Sequence, residues 1–407
     1  MYFYKYENKY LFSLDDKYEY EKINDSEVKA LDNCQELYFL MKLNKNTSKK
    51  TFAVSHTSDL FIEKEDIDLL KLKKEIKVSE AIVKLIDKRK IKAINTNYDD
   101  YVNQLYFDET KKKKVNILAL GDVGSALLIG LKLLGGKSID SIGIYDRSEE
   151  KIKRWEYEMN QTSLPFDLNE LPLVHGIKKE ELFDCDMFVF CASKEVPPVG
   201  SAVKDVRMVQ FRQNSLLIKE YAKMAAENSF KGIFAVVSDP VDLLCNVVLN
   251  ESGGKIAPEQ IKGYGLGVMN ARAAYYAKKD ERFKSFLAEG RAFGPHGNDL
   301  VIANSISRYD DELSKELTQL AVTANLEVRK TGFKPYIAPA LSSGAISIVY
   351  TLERKWHYSS NYIGGVYMGA KNRNISAGLE IEKLHMPDEL FERLKYTYEV
   401  LIMQNFC

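Results

Sequence analysis

Apolar and charged residues alternate at the start of the chain. Over residues 2–23, Tyr, Phe and Leu take turns with charged side chains, and the alternation is interrupted at Glu7-Asn8 and at Asp15-Asp16. A period of two is typical of strands with one buried face, so this pattern predicts short antiparallel strands joined by turns.

A helical pattern follows later in the same region. Val78, Ile82, Leu85 and Ile86 fall on one face of a helix that begins near Ser79, a suitable N-cap. The first 110 residues contain no glycine and many Lys, Asp, Glu and Tyr, and the lysine run 111–114 separates them from a different texture. The pattern therefore predicts a small α+β module of its own.

From Val115 onward the pattern changes to an apolar strand, a glycine turn, an apolar helix and a second strand. The letters are VNILALGDVGSALLIGLKLLGG and then SIGIYD, which predict a βαβ unit. Gly121 allows close approach of a pyrophosphate, and Gly124 allows the helix beginning near Val123 to pack on the strand with its amides facing the phosphates. The pair Gly135-Gly136 is a fitting end for that helix.

The glycine turn departs from the G-x-G-x-x-G fingerprint, since Ala119 stands at its first glycine. Asp146 ends the second strand, 22 residues after Gly124, where a carboxylate accepts hydrogen bonds from ribose hydroxyls. A 2′-phosphate would be repelled there, which favours NAD over NADP, although Arg147 offers a cation to such a phosphate. The alternative for Asp146 is a turn or helix-initiating residue.

Composition narrows the class of protein. A chain of 407 residues exceeds the roughly 250 that a single core supports, so two or three domains are expected. The 58 basic and 58 acidic residues give no global field for nucleic acid or membrane. We expect a cytoplasmic protein, since neither a leader peptide nor a membrane-length apolar run is visible.

The cysteines suggest neither disulfides nor a metal site. They are five in number and scattered, without CxxC spacing, so they are expected to be reduced, with Cys191 in the core. No metal is expected.

Beyond the strands DMFVFCAS and GIFAVVSDP, several blocks resemble the lactate/malate dehydrogenase family in order and spacing. RMVQFRQNSLLIKEYA is similar to its catalytic-loop arginine and an asparagine seven residues later, which gives Arg207 and Asn214. SDPVDLL resembles its SNPVD block. IKGYGLGVMNARAAYYA is similar to the stretch with the substrate-binding arginine, Arg272, and AFGPHGNDLVIANS to the block with the catalytic histidine, His296.

The resemblance implies an α/β fold over residues 113–407. It consists of a Rossmann dinucleotide-binding domain (113–256) and a lactate/malate dehydrogenase-like α+β domain (257–407), preceded by a small α+β N-terminal domain (1–112). It also implies NAD as cofactor and a homodimer or higher homo-oligomer. The candidate cofactor-binding residues are Gly121, Val123, Gly124, Asp146, Arg147 and Ser193.

The residue types suit hydride chemistry. Hydride transfer to a carbonyl creates an alkoxide, which needs a proton donor that can later act as base, and histidine serves both directions. A guanidinium holds a carboxylate by two parallel hydrogen bonds, and a second cation polarises the carbonyl. By resemblance Arg272 and Asn214 bind substrate, whereas His296, Arg207 and Asp239 are the candidate catalytic residues.

The pattern breaks at two places in the candidate site. The family's aspartate that orients the histidine is replaced by Met269, and its asparagine in the SNPVD block is replaced by Asp239. Asp239 either partners His296 directly or repels a substrate carboxylate, since two anions in one desolvated pocket raise each other's pKa. The second effect favours a neutral or cationic substrate.

A third break lies in the specificity loop EVPPVGSAVKDVR, about four residues longer than usual. It places Pro198 and Val199 where malate enzymes have an arginine. A dicarboxylate is therefore disfavoured, and a bulky group, even a peptide end, is better accommodated.

Three functions stay open. The leading one is an NAD-dependent oxidoreductase acting on an atypical 2-oxo or 2-hydroxy compound. The second is an oxidoreductase that modifies a peptide or natural product bound by a winged-helix-like N-terminal domain, for which the alternative is an accessory or oligomerisation domain. The third is a catalytically degenerate NAD-binding protein.

Overall fold

The structure is a computed structural model that describes residues 1–28, 31, 36–106, 112–194 and 206–405, with the backbone alone for 25, 26 and 206–208. The strands are β1 Tyr2–Tyr6, β2 Lys9–Ser13, β3 Glu21–Lys22, β4 Leu37–Met41, β5 Thr51–Ala53, β6 Ile91–Asn95, β7 Lys113–Leu118, β8 Ile139–Tyr145, β9 Leu173–Gly176, β10 Met187–Phe190, β11 Ile233–Val236, β12 Ile261–Gly263, β13 Arg291–Phe293, β14 Val301–Ala303, β15 His357–Ile363, β16 Val366–Ile375 and β17 Gly378–Ile381.

The α-helices are α1 Asp25–Val28, α2 Glu80–Asp87, α3 Asp122–Leu134, α4 Glu149–Asn160, α5 Val206–Glu227, α6 Val241–Glu251, α7 Leu266–Ala277, α8 Phe286–Glu289, α9 Asp311–Lys330, α10 Ile346–Leu352 and α11 Asp388–Asn405. A π-helical stretch, Pro339–Ala345, leads into α10. Within the described ranges, no helix has both the length and the apolarity needed to cross a membrane.

The chain divides into two compact units. Unit 1 consists of Met1–Thr110, Ile363–Gly365 and Asn372–His385, and unit 2 consists of Lys111–Tyr362, Val366–Lys371 and Met386–Cys407. The predicted N-terminal domain thus gains two segments, 363–365 and 372–385, from the region assigned to the C-terminal domain. The rest of both predicted domains after residue 112 falls in unit 2, and the boundary between 256 and 257 stays a prediction.

Unit 1 is built on a six-stranded sheet in the order β3-β1-β2-β4-β6-β5. The predicted hairpin is confirmed, because β1 and β2 pair antiparallel with Tyr6 opposite Lys9. Strands β2, β4 and β6 are parallel. Helix α2 begins after Ser79 and buries Ile82, Leu85 and Ile86, as its periodicity predicts. Among the described residues of unit 1, the α-helices are α2, with eight residues, and α1, with four. This arrangement gives no support to a winged helix.

The C-terminal segment is held in unit 1 by β17 and by ion pairs. Leu379 and Ile381 are buried, and Glu380 accepts from Arg89 Nε at 2.8 Å and pairs with Arg373 at 2.7 Å. Lys383 lies 3.1 Å from the Asp59 carboxylate. The Arg89–Glu380 pair joins residues 291 positions apart, and the local sequence pattern does not predict it.

Unit 2 contains the predicted Rossmann domain. Its strands run in the order β9-β8-β7-β10-β11-β12, all parallel, and β15 follows as the antiparallel neighbour of β12, with β16 next to β15. Counted along the chain, the six parallel strands have the order 3-2-1-4-5-6, which is the dinucleotide-binding topology. The order reverses between β7 and β10, so a ligand crevice is expected at the carboxyl ends of these strands.

Helices cover both faces of this sheet. Leu127, Leu128 and Leu131 of α3 pack with Ile348 of α10 on one face. On the other, Ile218 and Ala222 of α5 pack with Leu244 and Val248 of α6. Helices α7 and α9 enclose a further apolar cluster with the β13-β14 hairpin. Central strands buried on both faces explain the continuous apolar runs in the sequence.

Candidate functional site

The glycine turn lies at the carboxyl end of β7. Gly121 caps α3, and a Cβ built on it would meet no atom within 4 Å. A Cβ on Gly124 would lie 1.9 Å from the Ala119 carbonyl oxygen, so only glycine permits the close packing of helix on strand. Ala119 itself has φ +75°, the left-handed region that glycine prefers. The open space at Gly121 fits a pyrophosphate at the helix N-terminus.

Asp146 ties β8 to the glycine turn. Its Oδ2 accepts the Leu120 N–H at 2.8 Å, its Oδ1 accepts the Ser148 N–H at 3.1 Å, and Lys151 Nζ lies 3.9 Å from Oδ2. The carboxylate therefore holds the turn in shape and stands at the end of its strand, as predicted. Arg147 beside it is exposed, and Val123 lies half-buried in the first turn of α3.

Asn214 forms hydrogen bonds to the segments that follow β10 and β11. This buried residue of α5 accepts from the Lys194 N–H at 3.0 Å and donates to the Asp239 carbonyl at 2.7 Å. Its amide also approaches the hydroxyls of Ser193 and Ser238 at 3.4 Å each. Both ends of the amide are thus engaged within the protein, and the substrate-binding role that the resemblance implies stays a prediction.

His296 and Asp239 form a hydrogen-bonded pair. Nδ1 of the imidazole lies 2.9 Å from Asp239 Oδ1, although 57 residues separate them in the chain. Asp239 follows β11 and is joined to Pro240 by a cis peptide, whereas His296 follows β13, between Gly294 at φ +88° and Gly297 at φ +139°. Among the described residues, Nε2 makes no hydrogen bond. The first of the two roles considered for Asp239 is thus seen in the geometry.

Two residues that the sequence did not single out support His296. Asp242 is buried and accepts the backbone N–H of His296 at 3.2 Å. Its second oxygen accepts from Ser360 Oγ at 2.6 Å. Asp242 lies in the SDPVDLL block at the first turn of α6, which was the available signal. Ser360, 118 residues further on, had none.

Arg272 lies half-buried on α7. Its Nη1 donates to the Ala321 carbonyl at 3.3 Å and contacts Met269 Sδ at 3.5 Å. Burial lowers the pKa of the guanidinium, while the charge of Asp239 raises it. No ion pair to Arg272 is found among the described residues, so its remaining N–H groups can serve a ligand.

Two predictions on the specificity loop lie outside the described residues. Pro198 and Val199 belong to the range 195–205, which the structure does not describe. Arg207 lies in the first turn of α5, but its side chain is not described, so its catalytic role stays a prediction. Among the described residues, no group of metal-ligating side chains is present.

Known proteins resemble part of this chain in sequence. Residues 113–262 match the family described as lactate/malate dehydrogenase, NAD binding domain, which makes NAD the cofactor. The L-lactate dehydrogenase of Treponema denticola is 28% identical over 201 residues, covering 49% of this chain and 59% of that enzyme. The malate dehydrogenase of Sulfurimonas denitrificans is 25% identical over 214 residues, covering 53% and 63%. The chain thus spans about three fifths of these relatives.

The fold likeness extends further than the sequence likeness. A lactate dehydrogenase from a Medee basin deep-sea metagenome library superposes with a TM-score of 0.59 at 19% identity, covering 72% of this chain and 98% of that one. At this identity the match establishes the fold.

Proposed function

Because the chain is a diverged member of the lactate/malate dehydrogenase family, we propose that it is an NAD-dependent oxidoreductase for an atypical 2-oxo or 2-hydroxy compound. The observation that carries the proposal is the His296–Asp239 pair, with its Nδ1–Oδ1 distance of 2.9 Å, in the electrostatic field of Arg272. A carboxylate partner for the histidine is thereby present, although Met269 has replaced the family's own.

His296 is the acid/base of this proposal. With Nδ1 engaged by Asp239, Nε2 is the nitrogen that gives a proton to the substrate oxygen during reduction and removes it during oxidation. Asp239 stabilises the imidazolium and fixes the ring, which are the tasks of the acid in an acid–histidine couple. Asp242 contributes by holding the His296 backbone.

Arg272 positions the substrate. Its guanidinium presents N–H donors to a substrate oxygen from a half-buried setting, where hydrogen bonds to a charged donor are stronger than in water. NAD, when bound, supplies the acceptor or donor of the hydride. Gly121, Gly124 and Asp146 are the residues we assign to holding it, since they form the open turn and the strand-end carboxylate.

The test is NADH oxidation by the purified chain with a panel of 2-oxo compounds, alongside calorimetric titration with NADH and NADPH. We expect NADH to bind more tightly than NADPH and one compound class to be reduced. His296→Asn should lower turnover at least about a hundredfold with NADH affinity unchanged. His175→Asn, a half-buried histidine on β9, serves as control.

The other outcomes of this test distinguish the alternative functions. Tight NADH binding without reduction of any compound would contradict the proposal and favour an NAD-binding protein without catalysis. In that event Met269→Asp combined with Asp239→Asn would show whether lactate or malate turnover can be recovered. Peptide capture by unit 1, tested with the full chain, would favour the peptide-modifying alternative.

A further inference from the structure

The carboxylate that partners His296 lies at a partly exposed position, whereas the position of the family's own aspartate is buried and apolar. Met269, three residues before Arg272 on α7, is 1% exposed and apolar, and its sulfur contacts the guanidinium. Asp239 supplies the carboxylate from the end of β11, and 46% of its side chain is exposed. The charge that partners His296 therefore stands on a surface that solvent and ligands reach.

Asp239 also acts on Arg272. The carboxylate raises the pKa of the guanidinium, against the lowering by burial, so the two charges lie in one field. A ligand carboxylate that approaches Arg272 is attracted by the cation and repelled by Asp239. Over about 6 Å, at the effective dielectric of a partly buried site, one unit charge changes the affinity of another by about tenfold or more.

An uncharged polar group is not penalised in this way. A carbonyl or amide oxygen still accepts from Arg272, and a neighbouring N–H is favoured by Asp239, which also offsets the repulsion of an ammonium by Arg272. The same carboxylate that orients the histidine thus opposes anionic substrates.

We propose that Asp239 is a specificity-determining residue that selects substrates with a neutral or cationic group next to the reacting carbon and disfavours 2-oxo and 2-hydroxy carboxylates. The inference rests on the proposed function, because it takes His296 as the reacting centre. If Asp239 only orients His296, its substitution should change the affinity for all substrates equally. If it selects substrates, the change in affinity should depend on the charge of the ligand.

The experiment uses three ligands with one carbon skeleton: lactate, lactamide and 1-amino-2-propanol, which are anionic, neutral and cationic. Each is titrated into the NADH-saturated chain, where ligand and cofactor are both reduced and no turnover occurs. Because Asp239 opposes the attraction of Arg272 for a carboxylate, we expect the wild type to bind lactamide more tightly than lactate. Asp239→Asn should raise the affinity for lactate relative to that for lactamide by about tenfold or more and so reverse this order, whereas Asp239→Glu should retain it.

The binding readout separates two failures. If lactamide is preferred but no compound is ever reduced, the proposed function fails and the selectivity stands. The inference is overturned if the wild type binds lactate as tightly as lactamide or more tightly. This result needs only the wild type, so it can be obtained even if Asp239→Asn does not fold. An Asp239→Asn variant with unchanged ratios, or no binding of any of the three ligands, would overturn it as well.

Discussion

The Ala119 carbonyl oxygen occupies the place that a side chain at Gly124 would need, since a Cβ there would lie 1.9 Å from it. Helix α3 consequently lies against the end of β7 with no room between them. At Gly121, three residues earlier, the corresponding Cβ meets nothing within 4 Å. The two glycines serve different purposes, one for packing and one for ligand access.

Substitution of the two glycines should separate these purposes. Gly124→Ala is expected to destabilise the chain by about 1–3 kcal/mol, because the backbone must shift. Gly121→Ala should leave the free energy of unfolding nearly unchanged and weaken NADH binding, because its methyl group projects into the space assigned to the pyrophosphate. Thermal unfolding and NADH titration of both variants check this, and equal unfolding temperatures would contradict the packing role of Gly124.

Ala119 should be improved by glycine. Its φ of +75° costs an alanine about 1–2 kcal/mol, of which the larger backbone freedom of unfolded glycine cancels a part. Ala119→Gly is therefore expected to raise the free energy of unfolding by about 0.5–1 kcal/mol, with NADH binding retained. The matched control Ala274→Gly, within α7, should lower it by about 1 kcal/mol. Denaturant titration measures both, and a loss of stability in Ala119→Gly would refute the strain.

Asp146 should decide between the two nicotinamide cofactors. Asp146→Ser removes the charge that repels a 2′-phosphate, so the ratio of NADPH to NADH affinity should rise by about tenfold or more. The variant should also lose about 1–2 kcal/mol of stability, since the Leu120 N–H loses its acceptor at 2.8 Å. Asp140→Ser, exposed on the same strand, is the control. An unchanged cofactor ratio measured by calorimetry would exclude Asp146 from the ribose site.

His357 should make stability depend on pH. Its ring is buried, with Nε2 2.9 Å from Thr351 Oγ1 and Nδ1 3.0 Å from the Lys355 carbonyl, and burial together with the Lys262 charge lowers the pKa of the imidazole to about 3. Below about pH 6.5 the His357 imidazole is protonated in the unfolded chain but stays neutral in the folded chain. The free energy of unfolding should therefore fall by up to about 1.4 kcal/mol per pH unit on acidification towards pH 3.

His357→Gln removes this titration. Its stability, although lower at neutral pH, should decline less steeply between pH 7 and pH 5 than that of the wild type, whereas the exposed His385→Gln should follow the wild-type slope. Urea unfolding at a series of pH values gives the comparison. Parallel curves for the wild type and His357→Gln would show that other groups dominate the acid response.

The sequence predicted the parts of this structure that rest on local patterns. The βαβ unit, the roles of Gly124 and the position of Asp146 follow from periodicity and from a turn whose residues are neighbours in the chain. The site beyond the turn depends on contacts over long separations. The partnership of His296 with Asp239 remained one of two alternatives until the structure brought β11 and β13 together.

Other features had no readable signal. Asn214 resembled a ligand-binding residue, and only the positions of Lys194 and Asp239 show that its amide is engaged by the protein. Ser360 reaches Asp242 across 118 residues through antiparallel pairing of β12 with β15. A side-chain network of this kind depends on tertiary geometry, which the period of apolar residues does not encode.

Unit 1 is completed by residues 372–385, which are synthesised more than 250 residues after its first segment, Met1–Thr110. While the nascent chain is still short, Arg89 lacks Glu380, Asp59 lacks Lys383, and the apolar side chains of β17 are not yet made. Unit 1 therefore cannot complete its fold until nearly all of unit 2 has been synthesised. Stop codons placed before residue 372 would release products in which unit 1 is incomplete, and proteases would then cleave those products within residues 1–110, far upstream of the truncation.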